Sequence, residues 1–298
     1  MTRIAKPDVR ASVEAWDEAA WSLAALALAA SDDSPPELSG AARELLAAAG
    51  LAGAPGDPLP GLGDSDPGQV ASQAAASLHQ TSALLSGRGT SWNDQGDEAL
   101  LAQGNASAQG ARAFASLVLP SMGDLPGRLA APGARMLDVG TGVGALAVAF
   151  AEAFPELHVV GIDVLDRALA LARHTIAASG ADTRVTVRKQ DVAEFSDDDG
   201  FDLAWLPAPF IPQPALHAGL PRVVAALRPG GWLMVAHGKF EGTPVQNALT
   251  RLKTIAYGGT PLGEEAASRL LRDAALTSVR QVLTPPGAPA VTIGQKPA

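Results

Sequence analysis

The chain has 298 residues, enough for one large domain or two ordinary ones, and carries a formal net charge of −9. That acidity argues against nucleic acid as the main partner, because phosphate binding needs a basic footprint. The absence of cysteine excludes disulfides, thiolate metal sites and a cysteine nucleophile, leaving chemistry to oxygen and nitrogen side chains or to a cofactor.

The first third reads as helices broken by loops. An apolar helix is expected near Val9 to Ala30. Its run Trp21 to Asp33 follows Arg3, Lys6 and Arg10 and contains a small-residue cleavage pattern, so a secretory leader is one alternative. Glu14, Asp17 and Glu18 stand immediately before the apolar run, where a leader would be neutral or basic, and favour a packed helix of a cytoplasmic protein. The run is too short to span a membrane. The same helix, around Trp16 to Ala30, also offers a homodimer seam. Ser34-Pro35-Pro36-Glu37 is a start signal for a second helix reaching Gly50. Gly53 to Gly68 packs glycine, proline and aspartate too densely for any regular element and predicts a loop or linker. Gln69 to Ser86 and Asp97 to Leu119 read as further helices, separated by a glycine-bounded stretch containing Ser91 to Gln95.

From Ala134 short apolar runs alternate with helical stretches, the pattern of βαβ units on a parallel sheet. Strands are expected at Arg135–Val139, His158–Val164, Arg184–Gln190, Phe201–Leu206 and Trp232–His237, with helices between them. Helices near Val245 to Tyr257 and Glu264 to Leu276 precede two last strands, Ser278 to Thr284 and Ala290 to Gln295. Their short connection requires an antiparallel hairpin, because a parallel pair needs a crossover. The expected architecture is α/β: a Rossmann-like, mostly parallel seven-stranded sheet closed by a C-terminal antiparallel hairpin and preceded by a helical region. The domain boundary is placed at residues 120/121, with 1–120 as lid or dimerisation region.

The turn after the first strand reads LDVGTGVGALA, Leu137 to Ala147. Gly140, Gly142 and Ala145 alone satisfy the dinucleotide pattern G-x-G-x-x-G/A, with Asp163 where a ribose-binding acid belongs. Asp138 argues otherwise, since a carboxylate there would repel a pyrophosphate at the helix N-terminus, whereas it would attract an ammonium.

Four features together resemble the class I S-adenosylmethionine-dependent methyltransferase superfamily over roughly residues 130–298. They are DVGTGVG from Asp138, GIDVLDRAL around Asp163, KQDVAEF around Asp191, and LRPGGWLMVA from Leu227 to Ala236. The resemblance implies S-adenosylmethionine as cofactor. Asp138 would face the methionyl ammonium and Asp163, followed by Val164, the ribose hydroxyls. Asp191 and the backbone N–H of Val192 would face the adenine. Gly140, Gly142 and Gly144 would let the backbone pass close to the cofactor, with Leu206 also lining it.

Methyltransferases of amides and base amines carry N/D-P-P-F/Y after the fourth strand; here the stretch is LPAPFIP, Leu206 to Pro212, and the polar first residue is lost. Pro207 and Phe210 then form an apolar lip, unless the prolines only terminate the strand. Trp92 is a candidate substrate contact, or a tryptophan packed on the core. A hydroxyl acceptor would benefit from a general base, with His237, His217 and Glu241 as candidates and a backbone-satisfied histidine as the alternative. No metal is expected. The reading is methyl transfer to a small molecule, at oxygen and in bacterial secondary metabolism. N- or C-methylation, a catalytically degenerate cofactor-binding subunit and, more distantly, a nicotinamide oxidoreductase are the alternatives.

Overall fold

A computed structural model describes residues 9–29, 35–50, 74–82, 92–197, 200–240, 242–284 and 288–298. The expected linker at Gly53 to Gly68 lies outside them. Contacts divide the chain into two compact units, ending at Ser82 and beginning at Ala83.

The first unit contains α1 (Val9–Ala29), α2 (Pro36–Ala48) and α3 (74–82). Pro36 opens α2 at a position whose N–H needs no partner. Ala25 and Ala29 of α1 meet Ala42 and Leu46 of α2 in one apolar cluster. Small residues at such a contact let two helix backbones approach closely.

The second unit begins with α4 (Asp97–Ala113), continued by a π-turn over Phe114–Val118, and the short α5 (Leu125–Leu129). Then follow β1 (Arg135–Val139), α6 (Ala145–Ala153), β2 (His158–Asp163), α7 (Asp166–Ser179), β3 (Val185–Lys189) and β4 (Phe201–Pro207). The chain closes with α8 (Gln213–Ala226), β5 (Leu227–His237), α9 (Pro244–Ala256), α10 (Glu264–Asp273), β6 (Thr277–Val282) and β7 (Ala290–Gln295). The sheet order is β3-β2-β1-β4-β5-β7-β6. The first five strands are parallel, and β7 runs antiparallel between β5 and β6. Chain direction reverses its lateral progress between β1 and β4, which is where open α/β sheets bind ligands at their carboxyl edge.

Strand alternation builds the two faces. Met136, Leu203, Trp205 and Met234 enter one core with Leu146, Val148 and Phe150 of α6 and Phe114 behind α4. Leu137, Val139, Ala204, Leu206, Leu233 and Val235 enter the other with Leu216, Leu220 and Val223 of α8 and Leu271 of α10. Each fully buried large side chain contributes about 1.5–3 kcal/mol. The segment 97–119, grouped with the helical first third in the sequence pattern, packs here: Gly104 of α4 lies so near Val143 that a Cβ would collide with its Cγ2.

One strand starts earlier than its apolar run. β5 begins at Leu227, not Trp232, because Leu227 pairs with Phe201 across an irregularity in the ladder. Gly231 makes this approach feasible; a Cβ there would come within 2.9 Å of the Phe201 and Arg228 carbonyl oxygens.

Candidate functional site

The turn joining β1 to α6 takes its shape from three left-handed glycines, Gly140 (φ 64°), Gly142 (φ 56°) and Gly144 (φ 75°). It is pinned to β2: Thr141 N donates to Ile162 O at 3.0 Å and Gly142 N donates to Asp163 Oδ2 at 2.8 Å. Asp163 Oδ1 accepts from Leu165 N at 2.9 Å, so this acid organises the turn as well as the loop leaving β2. Val164 beside it is half exposed, at 51%.

The glycines serve different ends. A Cβ on Gly142 would meet nothing nearer than Gly140 O at 4.0 Å, so the space beside it is open. A Cβ on Gly140 would touch Pro207 Cγ at 3.7 Å, placing the end of β4 against the turn. Gly144, the α6 N-cap, instead faces Ala172 of α7, at 3.3 Å from its would-be Cβ. Its smallness answers helix packing.

Two carboxyls are buried at this edge. Asp138 is 1% exposed and accepts a 2.7 Å hydrogen bond from Thr141 Oγ1. Burial pushes its pKa up to about 7, with the Thr141 bond opposing and the neighbouring Asp163 carboxylate adding to the rise. Asp163 is raised by burial too, against the backbone N–H groups of Leu165, Gly142 and Val164. These are carboxyls held where a cation would be strongly favoured.

Asp191, exposed after β3, caps a 3-10 turn by accepting Ala193 N at 2.8 Å. Val192 is buried beneath Gly219 of α8, where a Cβ would stand 2.7 Å from Val192 Cγ2. Leu206 is fully buried in the α8-side core, so only its backbone is left to line a ligand.

Beyond β4 three rings converge. Trp92 lies edge-on to Phe210 (centroids 5.6 Å apart) and stacks with Tyr257 (5.7 Å), and Phe210 and Tyr257 are 5.1 Å apart. Tyr257, absent from the sequence-based candidates, ends α9. Burial raises its phenol to about 12, so it stays protonated. The segment after it is strapped to the loop after β4. Thr260 N donates to Ala208 O (2.9 Å), Thr260 Oγ1 donates to Ile211 O (2.8 Å), and a Cβ on Gly259 would collide with Pro209 O. Gly238 N, at the end of β5, donates to Leu262 O at 3.0 Å, so the strap crosses from β4 to β5.

The candidate bases are scattered. His237 is fully buried; its Nδ1 donates to Gly238 O at 3.0 Å and its Nε2 meets Thr292 Oγ1 at 2.8 Å, so both ring nitrogens are engaged. It borders a cavity of about 680 Å³ formed with Lys239, Phe240, Glu264, Arg269 and Gln281, away from the glycine turn. His217 is exposed on α8, and Glu241 lies outside the described residues. Among the described residues no cluster of three His, Asp or Glu could hold a metal, and no helix is long and apolar enough to cross a membrane.

Residues 136–231 match a family described as a methyltransferase domain. Among curated proteins, a release factor glutamine methyltransferase of Geobacter sulfurreducens is 34% identical over 150 residues, 42% of this chain and 52% of that protein. The chain thus spans about half the length of the curated relatives it matches. Among solved structures, an O-methyltransferase family protein from Burkholderia thailandensis superposes with a TM-score of 0.62 at 18% identity, over 97% of each chain. Human N-acetylserotonin methyltransferase, solved with S-adenosylmethionine, gives 0.61 at 14% identity over 100% of each. At these identities the likeness is one of fold.

Proposed function

We propose that this chain, which carries a class I methyltransferase domain, transfers a methyl group from S-adenosylmethionine to a small-molecule acceptor. The observation carrying the reading is the glycine turn pinned between two buried acids, with open space where the Gly142 side chain would be. A dinucleotide would bring phosphate to those acids; a sulfonium amino acid brings an ammonium and no phosphate.

The residues fit that cofactor. Asp138 would hold the methionyl ammonium and Asp163 the ribose hydroxyls, each oxygen keeping a lone pair beside its backbone bond. Asp191 and Val192 N would hold the adenine, while Gly140, Gly142, Val164 and the Leu206 backbone complete the wall. When bound, the cofactor supplies a methyl group on a positively charged sulfur. The protein's share is then alignment, the dominant contribution to an in-line displacement.

Trp92, Pro207, Phe210 and Tyr257 would form the acceptor wall, apolar except for the Tyr257 phenol and the Trp92 indole N–H, which is buried and has no hydrogen-bond partner among the described residues. Leu206 offers no side-chain acceptor for a target nitrogen, which favours an oxygen acceptor of the kind found in secondary metabolism. His217 is the solvent-open histidine beyond β4; His237 could act as base only by giving up one of its bonds. A protein glutamine acceptor is the second reading, favoured by the sequence likeness to release factor methyltransferases and opposed by Leu206.

Calorimetry with S-adenosylhomocysteine and NAD, followed by mass spectrometry of reactions with phenol, amine and carboxylate acceptors, tests this. Binding of the first ligand and not NAD is expected. Gly142→Val should weaken it by tenfold or more, because a β-branched side chain enters the open space at a φ only glycine adopts readily. Equal affinity of wild type and variant would remove the turn from the site.

A further inference from the structure

We propose that Thr141 is a positioning residue for cofactor binding, seated by Gly161 so that its hydroxyl fixes the Asp138 carboxyl on which the cofactor ammonium is read. This rests on the cofactor reading above and adds a device to it.

Asp138 and Gly161 are direct partners across the β1–β2 ladder. Thr141 folds back over that pair. A Cβ on Gly161 would stand 2.6 Å from Thr141 Oγ1, 2.8 Å from its Cβ and 2.9 Å from its Cγ2, so any larger residue there would evict the threonine. The backbone of Thr141 is tied to the same strand by the bond from its N–H to Ile162 O at 3.0 Å. Held at both ends, the side chain has one orientation, and in it the hydroxyl donates to Asp138 Oδ2 at 2.7 Å. Among the described residues it is the one hydrogen-bond donor to that carboxyl.

The consequence is electrostatic as well as geometric. In a 1% exposed site the ionised carboxyl is costly, and the titratable group that acts on it, Asp163 at the end of β2, makes ionisation harder. Its other strand neighbour places Trp205 opposite it, without charge. The Thr141 hydroxyl is therefore the local group that favours the carboxylate, the form able to pair with an ammonium. Thr141 takes one lone pair of Oδ2, which leaves Oδ1 the less engaged oxygen for the incoming cation.

Three variants separate this role from simple packing. Thr141→Ser keeps the hydroxyl, Thr141→Val keeps the shape without it, and Gly161→Ala keeps the threonine but removes its seat. S-adenosylhomocysteine affinity, measured by calorimetry between about pH 5.5 and 8.5, is expected to fall in acid as Asp138 takes up a proton. Thr141→Ser should reproduce the wild-type profile. Thr141→Val and Gly161→Ala should weaken binding about tenfold at neutral pH and move the midpoint upward. Carbon NMR of aspartate carboxyls in the ligand-free protein gives an independent reading, in which the Asp138 titration should shift upward in Thr141→Val. Unchanged midpoints in both measurements would overturn the inference while leaving cofactor binding intact. Failure of the wild type to bind S-adenosylhomocysteine would instead overturn the cofactor reading and this device with it.

Discussion

Near neutral pH the ligand-free protein carries at Asp138 a carboxyl poised between its two forms, since burial has lifted its pKa to about 7. An acid raised on folding contributes stability that is complete below its unfolded pKa and is lost as pH rises through the folded value. Above pH 7 the ligand-free fold therefore bears the cost of a buried charge. Asp138→Asn, which can still accept the Thr141 hydrogen bond, is expected to raise the melting temperature at pH 8 by a few degrees, on the order of 2 kcal/mol, with a gain that shrinks as pH falls and vanishes below the unfolded value near 3.8. The same variant should bind S-adenosylhomocysteine far more weakly, so stability and affinity move in opposite directions; a variant that melts lower at pH 8 would contradict the burial argument. The three acids and the glycines stand out as a set in the sequence because the motifs around Asp138, Asp163 and Asp191 resemble those of one methyltransferase family. Thr141 does not, because in sequence it looks like a spacer, and its meaning comes from Gly161 on the neighbouring strand. For His237 the sequence left two readings open, a general base or a histidine satisfied by its neighbours. The end of β5 placed His237 on the ligand edge, yet nothing in sequence announced that Thr292 and Gly238 would occupy both nitrogens.

Among elements, the strands were legible because each is an apolar run closed by turn residues, and the last pair because its connection is too short for a crossover. The start of β5 was not, since Pro229, Gly230 and Gly231 read as a turn until Leu227 is seen to pair with Phe201. What fixes that edge of the sheet is also a matter of distant residues. Asp202, at the start of β4 and 3% exposed, accepts from Arg128 Nη2 at 2.8 Å, Arg228 Nη1 at 2.8 Å and Arg135 N at 3.0 Å. One carboxylate thus joins α5, β1, β4 and β5 at the edge opposite the glycine turn. Asp202→Ala is expected to destabilise the fold by roughly 2–3 kcal/mol, below the range for a fully buried pair because both arginines are partly exposed to solvent. Denaturant unfolding would show it, and affinity for S-adenosylhomocysteine of the folded variant should be unchanged. A parallel loss of affinity would mean that the two edges of the sheet are coupled.

For the whole molecule, the acidic balance makes a testable statement about partners. With 31 acidic against 22 basic side chains, the chain should not retard on a mixed tRNA preparation at about 0.15 M salt, where binding requires several phosphate contacts. A salt-dependent shift with a steep slope would redirect the search for an acceptor toward nucleic acid. Composition carried this much and no more; it could not tell where the chain divides, because alanine suits either face of a helix. Nor could it foretell the meeting of Trp92, Phe210 and Tyr257, which come from three separate segments. Their arrangement depends on the strap, where Gly259 leaves no room for a side chain against Pro209 and Thr260 is bonded twice to the 207–211 segment. In the language of recombination, the stretch after β4 and the stretch after α9 are a single heritable cassette. A graft that imports the first from another methyltransferase while keeping the native second would set a foreign loop against a backbone shaped for Pro209, so any reprogramming of this edge has to carry both.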